Sequence, residues 1–462
     1  MKHQPKRTLI KNGSVVTPGK IIKADLFIKG EIIAGINSDI AAPGAEVIDA
    51  RGKYVLPGGI DVHTHFNLDT GIAIAQDDFY TGTVAAAMGG TTTIIDHPGF
   101  GPEGCSLFHQ IEKYHGLADG NAVIDYSFHG VLQHLDDQVL NDIPKLADQG
   151  ITSLKAYMTY DYMFSGDMLA DVFKKAKDSG MLIAVHAEDD CLIKSLKEKY
   201  IREGRKDAIY HALSRPSKAE AIAVKKVINK AGEAGNAPLY IVHLSTKEGA
   251  LAVKKAKESG RLVFAETCPQ YLLLEQDLYN LPDHEGLKYV MSPPLRRKED
   301  QKALWEGLSD ESISVIASDH CPFDFELKKQ LASRDFSKCP GGIPGVETRL
   351  GLLFSKGVLE NKISLQQFVK AVSENPARIM GLYPRKGVIK KGSDADLIII
   401  DPEEEICISS KMLHENVDYT PYEGINVFGW PRMTMVRGAV IVRDKKFTGK
   451  KGFGKFIKRK RF

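Results

Sequence analysis

Eight short apolar runs recur through the middle of the chain, separated by longer amphipathic stretches. They read YVLPGGIDVH, TTTIIDH, AVIDYSFHGV, SLKAYM, LIAVHAE, LYIVHLS, RLVFAETCP and SISVIASDH. A strand with one wet face alternates apolar and polar residues; these runs are almost wholly apolar, as strands covered on both faces are. The stretches between them have helical periodicity. From Pro216 to Gly232, for example, Ala219, Ile222, Ala223, Val227, Ile228 and Ala231 recur at helix spacing, behind a proline suited to a first turn. Strand and helix alternating in this way predict a parallel sheet closed into a (β/α)8 TIM barrel. The rival, an open doubly wound sheet, would need a glycine-rich dinucleotide turn after its first strand, and none is present.

The two ends differ from the middle. Residues 7 to 53 and 385 to 447 show short strand patterns with turns at Asn12-Gly13, Lys29-Gly30 and Arg437-Gly438. They predict one small β-sandwich domain built from both termini, residues 1–54 and 385–447, with the barrel at 55–384 inserted between them. A basic arm, 448–462, follows.

The arm accounts for the sign of the charge. The 462-residue chain is formally +3, but Lys450 to Phe462 holds seven basic residues and no acidic one, leaving −4 elsewhere. A basic tail can bind nucleic acid, with an affinity that falls steeply with salt. The interleaved Phe453, Phe456, Ile457 and Phe462 favour an arm packed on a protein surface, so neither nucleic acid nor membrane is expected as a partner. The six cysteines form no CxxC pair, which predicts reduced thiols, with Cys268 and Cys321 the candidates for a reactive one. The start MKHQPKRTLIKNGSVV has no apolar signal core and no run is long enough to span a bilayer, so the expectation is a soluble, cytoplasmic protein.

Polar residues concentrate where the predicted barrel strands end, the rim on which barrel enzymes place their chemistry. His63 and His65 share one face at the end of the first strand. Lys155 lies in the fourth, His186 ends the fifth, His243 the sixth and Asp319 the eighth. Imidazole and carboxylate are preferred ligands of zinc and its neighbours, and this set is too large for one tetrahedral ion. It suits two divalent ions sharing a bridge. Lys155 has two readings. Its ammonium could snorkel to solvent; or burial could drive it neutral, so that it takes up carbon dioxide and becomes an anionic carbamate able to bridge two metals.

In order, His63-Thr64-His65, Lys155, His186 in VHAE, His243 in IVHLS and Asp319 in SDHCP resemble the six metal-ligand positions of the hydantoinase and dihydropyrimidinase branch of the amidohydrolase superfamily. The likeness extends over essentially the whole chain, including SPPLR and the ending GFGKFIKRKRF, and is strongest to bacterial D-hydantoinases of the phenylhydantoinase type. It implies two divalent ions per subunit, Zn2+ with Mn2+ or Co2+ as alternatives, bridged by carboxylated Lys155 and a hydroxide that attacks a ring amide. It further implies that Tyr160 donates to the substrate carbonyl oxygen and that Ser292 binds the ring imide; the ligand set itself makes Asp319, metal-bound beside the hydroxide, the expected group to carry the proton to the leaving nitrogen. A further contact falls on Gly341, where the family has asparagine. The tail is expected to cross onto a neighbouring subunit of a homotetramer.

The expected reaction is therefore ring opening of a 5-substituted hydantoin to an N-carbamoyl amino acid. Phe66, Asn67 and Leu68 follow the histidine pair where relatives acting on charged rings carry a charged residue, which argues for an uncharged, apolar ring substituent. Leu68 and Ile72, with Met163 and Phe164, are candidates for its pocket or for ordinary loop packing. The alternatives are a dihydropyrimidinase acting on dihydrouracil or dihydrothymine, an allantoinase-like ureide hydrolase, and a non-catalytic dihydropyrimidinase-related scaffold. The scaffold would have lost metal ligands, and none is lost.

Overall fold

The computed structural model describes residues 5–462; the first four residues of the expected N-terminal segment lie outside the described residues. Gly59–Thr64, Thr91–Asp96 and Asp125–Phe128 pair in parallel. Gly130–Val131 continues the third strand and pairs in parallel with Ser153–Tyr157, followed by Leu182–His186, Leu239–Ile241, Val263–Thr267 and Val315–Ile316. A parallel bridge between Thr64 and His320 closes the ring, and the His65 N–H donates to His320 O at 2.9 Å. The expected (β/α)8 barrel is thus present, with one barrel strand for each of the eight runs.

The first run holds two strands. Tyr54–Pro57 pairs antiparallel with Leu397–Ile400 and parallel with Ser14–Val16, in a seven-stranded sheet that also includes Ile21–Lys23, Pro431–Val436, Ala439–Arg443 and Lys446–Phe447. Gly59–Thr64 alone enters the barrel. The boundary drawn at 54/55 therefore cuts a strand of the terminal domain, because Pro57-Gly58 separates two elements that hydrophobicity alone joins. Opposite lies a four-stranded sheet of Arg7–Lys11, Asp25–Lys29, Ile32–Asn37 and Glu46–Asp49. Ile10, Leu26, Ile28, Val55, Leu397 and Met435 fill the space between the two sheets.

Each expected turn has a residue at positive φ. Arg437 (φ 44°) and Gly438 (φ 72°) form the two-residue loop between Pro431–Val436 and Ala439–Arg443, and a primed hairpin turn demands positive φ at both positions. Helix Ser217–Glu233 matches its periodicity except at one position: Ile222 is exposed, whereas Glu220 is buried and accepts from the Ser245 and Thr246 hydroxyls.

The basic arm docks on its own chain: Phe456 bridges Tyr126, Ile457 N–H donates to Tyr126 O at 2.7 Å, Phe462 N–H donates to Gly180 O at 2.8 Å, and Ile457 and Arg459 are buried. This docking follows from Ile457 and Arg459 turning inward onto the barrel wall while Lys458 and Lys460 face out. One buried ion cluster joins all three parts. Asp125, first residue of the third barrel strand, accepts from Lys386 Nζ at 2.7 Å, from Arg437 Nε at 3.0 Å and from the backbone of Lys455 in the arm at 3.0 Å. Lys386 also pairs with Asp394 and Asp396, so the carboxylates here already have their cations. Removing one member of a buried ion cluster leaves its partners uncompensated. Asp125→Ala is therefore expected to lower the unfolding free energy by about 3–5 kcal/mol in urea titration, and a loss below ~1 kcal/mol would contradict the role given to this cluster.

Candidate metal centre

Because the strands run in parallel, their carboxyl ends share one rim, and five of the six expected donors lie buried there. His63 is in the first strand and His65 one residue beyond it. Lys155 sits in the middle of the fourth and His186 closes the fifth, while His243 and Asp319 follow the sixth and eighth. Asp319 Oδ1 stands 3.1 Å from His63 Nε2 and 3.4 Å from His65 Nε2, and these three could hold one ion. Lys155 Nζ is 3.5 Å from His63 Nε2. The rings of His186 and His243 are 4.5 Å apart, and His243 is 5.4 Å from His63. The structure thus brings all six together. His243 (φ 38°), Asp319 (φ 54°) and Tyr160 (φ 72°) all hold positive φ, a strained conformation that clusters where surrounding structure dictates a side chain's aim.

Burial governs the charge states. It pushes the Lys155 amine down to about 8, which raises the share of free amine near neutral pH, and lowers His63 and His243 far below the ordinary histidine range, so that those two imidazoles are neutral. Neutral imidazole is the ligand form, and the Nδ1 atoms of His65 and His243 are buried with no hydrogen-bond partner in the protein. The donor set therefore fits divalent metal. Cys268 and Cys321 are buried as well, and burial pushes both thiols up, which keeps them protonated and removes them as nucleophiles.

Sequence reasoning missed the groups behind these donors. Glu266 hydrogen-bonds His63 Nδ1 through one oxygen, which also accepts from His243 N–H at 3.1 Å; its other oxygen accepts from the Tyr240 hydroxyl at 2.8 Å. Its signal was a lone carboxylate inside the apolar run RLVFAET. Glu188 accepts from His186 Nε2 at 2.8 Å and from Arg215 Nη1 at 2.5 Å. Against the penalty of burial, the Arg215 charge and the His186 hydrogen bond hold the Glu188 carboxyl down at about 2. His97 and His129 stack at 4.0 Å beneath the site, and His97 lies 4.3 Å from His63.

On the open side, the half-buried Tyr160 ring stands 5.3 Å from His186, with the Arg215 guanidinium 5.4 Å away and the Ser292 side chain beside its hydroxyl. Burial, partly opposed by Arg215, pushes that hydroxyl up, so it remains a donor. Gly341 is exposed; a Cβ there would meet only Met291 Cα, at 3.9 Å, so glycine leaves open space where the family has asparagine. Leu68 packs beside Cys321 and Phe323 near Asp319. Phe164 is buried in the main hydrophobic cluster, and the structure does not set it apart as a pocket residue; Ile72 and Met163 are exposed.

Residues 54–441 match the Amidohydrolase family. A D-phenylhydantoinase of Escherichia coli O1:K1 / APEC is 49% identical over 457 residues, 99% of each chain. The crystal structure of dihydropyrimidinase from Brevibacillus agri NCHU1002 superposes with a TM-score of 0.97 at 44% identity, covering 99% of both chains. An L-hydantoinase (dihydropyrimidinase) from Arthrobacter aurescens gives 0.89 at 31% identity, covering 98% of this chain and 99% of its own. The chain belongs to the amidohydrolase family. Metal-ligating histidines depend on the acceptor that fixes their other nitrogen. Glu266→Gln is accordingly expected to weaken Zn2+ binding by roughly 10- to 100-fold in chelator competition, and unchanged affinity would remove Glu266 from the support of His63.

Proposed function

We propose that this chain is a metal-dependent cyclic amide hydrolase that opens 5-substituted hydantoins to N-carbamoyl amino acids. His63, His65, Lys155, His186, His243 and Asp319 hold two divalent ions, with zinc the first choice. The observation that carries this reading is a buried lysine, with its pKa brought down to about 8, on the same rim as four imidazoles and an aspartate. As a free amine, Lys155 attacks carbon dioxide through nitrogen and loses one proton to solvent, which leaves an anionic carbamate. When bound, the two ions supply a hydroxide near neutral pH and Lewis acidity at the carbonyl oxygen.

The protein's own groups do the rest. The Tyr160 hydroxyl donates to the carbonyl oxygen as negative charge develops there, a contribution of ~3 kcal/mol for one such donor. Asp319 accepts the proton of the attacking water and returns it to the leaving ring nitrogen, so one water is consumed and one C–N bond is broken. Ser292, beside Tyr160, and the backbone at Gly341 receive the ring imide. Arg215, the cation beside Tyr160, is already paired with Glu188, leaving no free cation at that point to receive an anionic ring; this supports a neutral substrate whose apolar substituent lies near Leu68.

Dihydropyrimidine opening is the second reading, favoured by the structural likeness to a protein named dihydropyrimidinase. A homotetramer in the cytoplasm completes the proposal, and a one-chain mass in light scattering would contradict the tetramer. No described helix is long and apolar enough to cross a membrane. With metal content assayed, D-5-phenylhydantoin is expected to open faster than 5,6-dihydrouracil, and Asp319→Asn to lose at least about 100-fold in kcat. Opening of neither ring by metal-loaded enzyme would overturn the substrate class, and near-normal turnover by Asp319→Asn would overturn the proton route.

A further inference from the structure

Helix Phe325–Ala332 buries a lysine that has no counterion. The Lys328 side chain is fully enclosed, and among the described residues it forms no ion pair. An ammonium has three N–H donors and no acceptor. Here Nζ meets three backbone carbonyls: Gly342 O at 2.6 Å, Val290 O at 3.2 Å and Lys288 O at 3.5 Å. The Tyr419 ring lies 5.7 Å from Nζ, and its hydroxyl donates to Lys288 O at 3.0 Å. Burial pushes the amine down to about 8. A charge taken out of water without a carboxylate is costly, so such a group is retained for what its donors hold in place.

What they hold are two chain segments far apart in sequence. Val290 lies two residues before Ser292, and Gly342 directly follows Gly341. The segments also touch each other, Gly342 N–H donating to Val290 O at 3.0 Å, and the second is tied to the metal rim by Cys321 N–H donating to Ile343 O at 3.1 Å. Gly342 itself, at φ 153°, fits only as glycine, because a Cβ would come within 2.3 Å of Cys321 O. These bonds leave little freedom in where Ser292 and Gly341 stand relative to Asp319.

We infer that Lys328 is a positioning residue for substrate binding, clamping the Lys288–Ser292 segment to the Gly341–Ile343 loop so that the ring imide meets both at one spacing. This rests on the reading that Ser292 and Gly341 contact the imide. It acts on substrate through the backbone, without touching metal or the reacting atoms.

The test uses full-length, metal-loaded Lys328→Met, which removes every donor, and Lys328→Gln, which keeps an N–H donor without the charge. Metal content is expected to stay at the wild-type level, while KM for D-5-phenylhydantoin rises about tenfold in Lys328→Met and by less in Lys328→Gln. Hydrogen exchange is expected to quicken in peptides covering 286–292 and 339–346. A lowered melting midpoint with KM and exchange both unchanged would make Lys328 a packing residue and overturn the inference. Should Lys328→Met fail to fold, Lys328→Gln decides: a KM rise of roughly threefold or more supports the clamp, and an unchanged KM defeats it. Wild-type enzyme that opens no hydantoin counts against the ring-opening reading instead, and the exchange data then decide the clamp alone.

Discussion

Closing eight parallel strands into a ring brings their carboxyl ends onto one rim, and every functional contact described above depends on that closure. The seam lies between the first strand and the segment after the eighth, where His65 N–H donates to His320 O and Thr64 bridges His320. The same seam sets Asp319 against His63 and His65 at 3.1 and 3.4 Å. Outside the ring, the Asp125 cluster fastens the third strand to the terminal β-domain through Lys386 and Arg437, and to the arm through Lys455. Fold and site are therefore coupled: the contacts that shut the barrel are within a residue or two of the donors.

Burial then does chemical work. Removed from water, the Lys155 amine is brought down to about 8, which raises its free-amine share near neutral pH, the His63 and His243 imidazoles stay neutral, and Glu266 is pushed up to about 8. One physical term thus produces ligand-ready imidazoles and an amine able to react with carbon dioxide. Glu188 is the exception. The Arg215 charge keeps it ionised, which fixes His186 on one side and leaves the Tyr160 hydroxyl as the donor on the other.

Much of this was legible in the sequence, because period and position encode it. Fully apolar runs announce strands covered on both faces, and a polar residue at the end of each stands out against them. What escaped was whatever depends on a partner distant along the chain. Tyr54–Pro57 and Gly59–Thr64 read as one run, and only their pairing with different sheets separates them. Ile222 fits the helical stripe by spacing yet faces out, since Glu220 turns inward to Ser245 and Thr246. The arm was recognisable as an arm, but which surface it covers is decided by its fit to Tyr126, Gly150 and Gly180. Glu266 and Lys328 look like ordinary charged residues until burial and their partners are seen.

The central claim is that a buried, carboxylated Lys155 bridges two metal ions, and metal content tests it most directly. Wild type and Lys155→Ala would each be dialysed against excess Zn2+, with and without a short carboxylic acid such as acetate, and analysed for zinc per chain. The account predicts about two ions in wild type, a marked loss in Lys155→Ala, and recovery when the acid replaces the missing carbamate. Two ions retained by Lys155→Ala without added acid would contradict it.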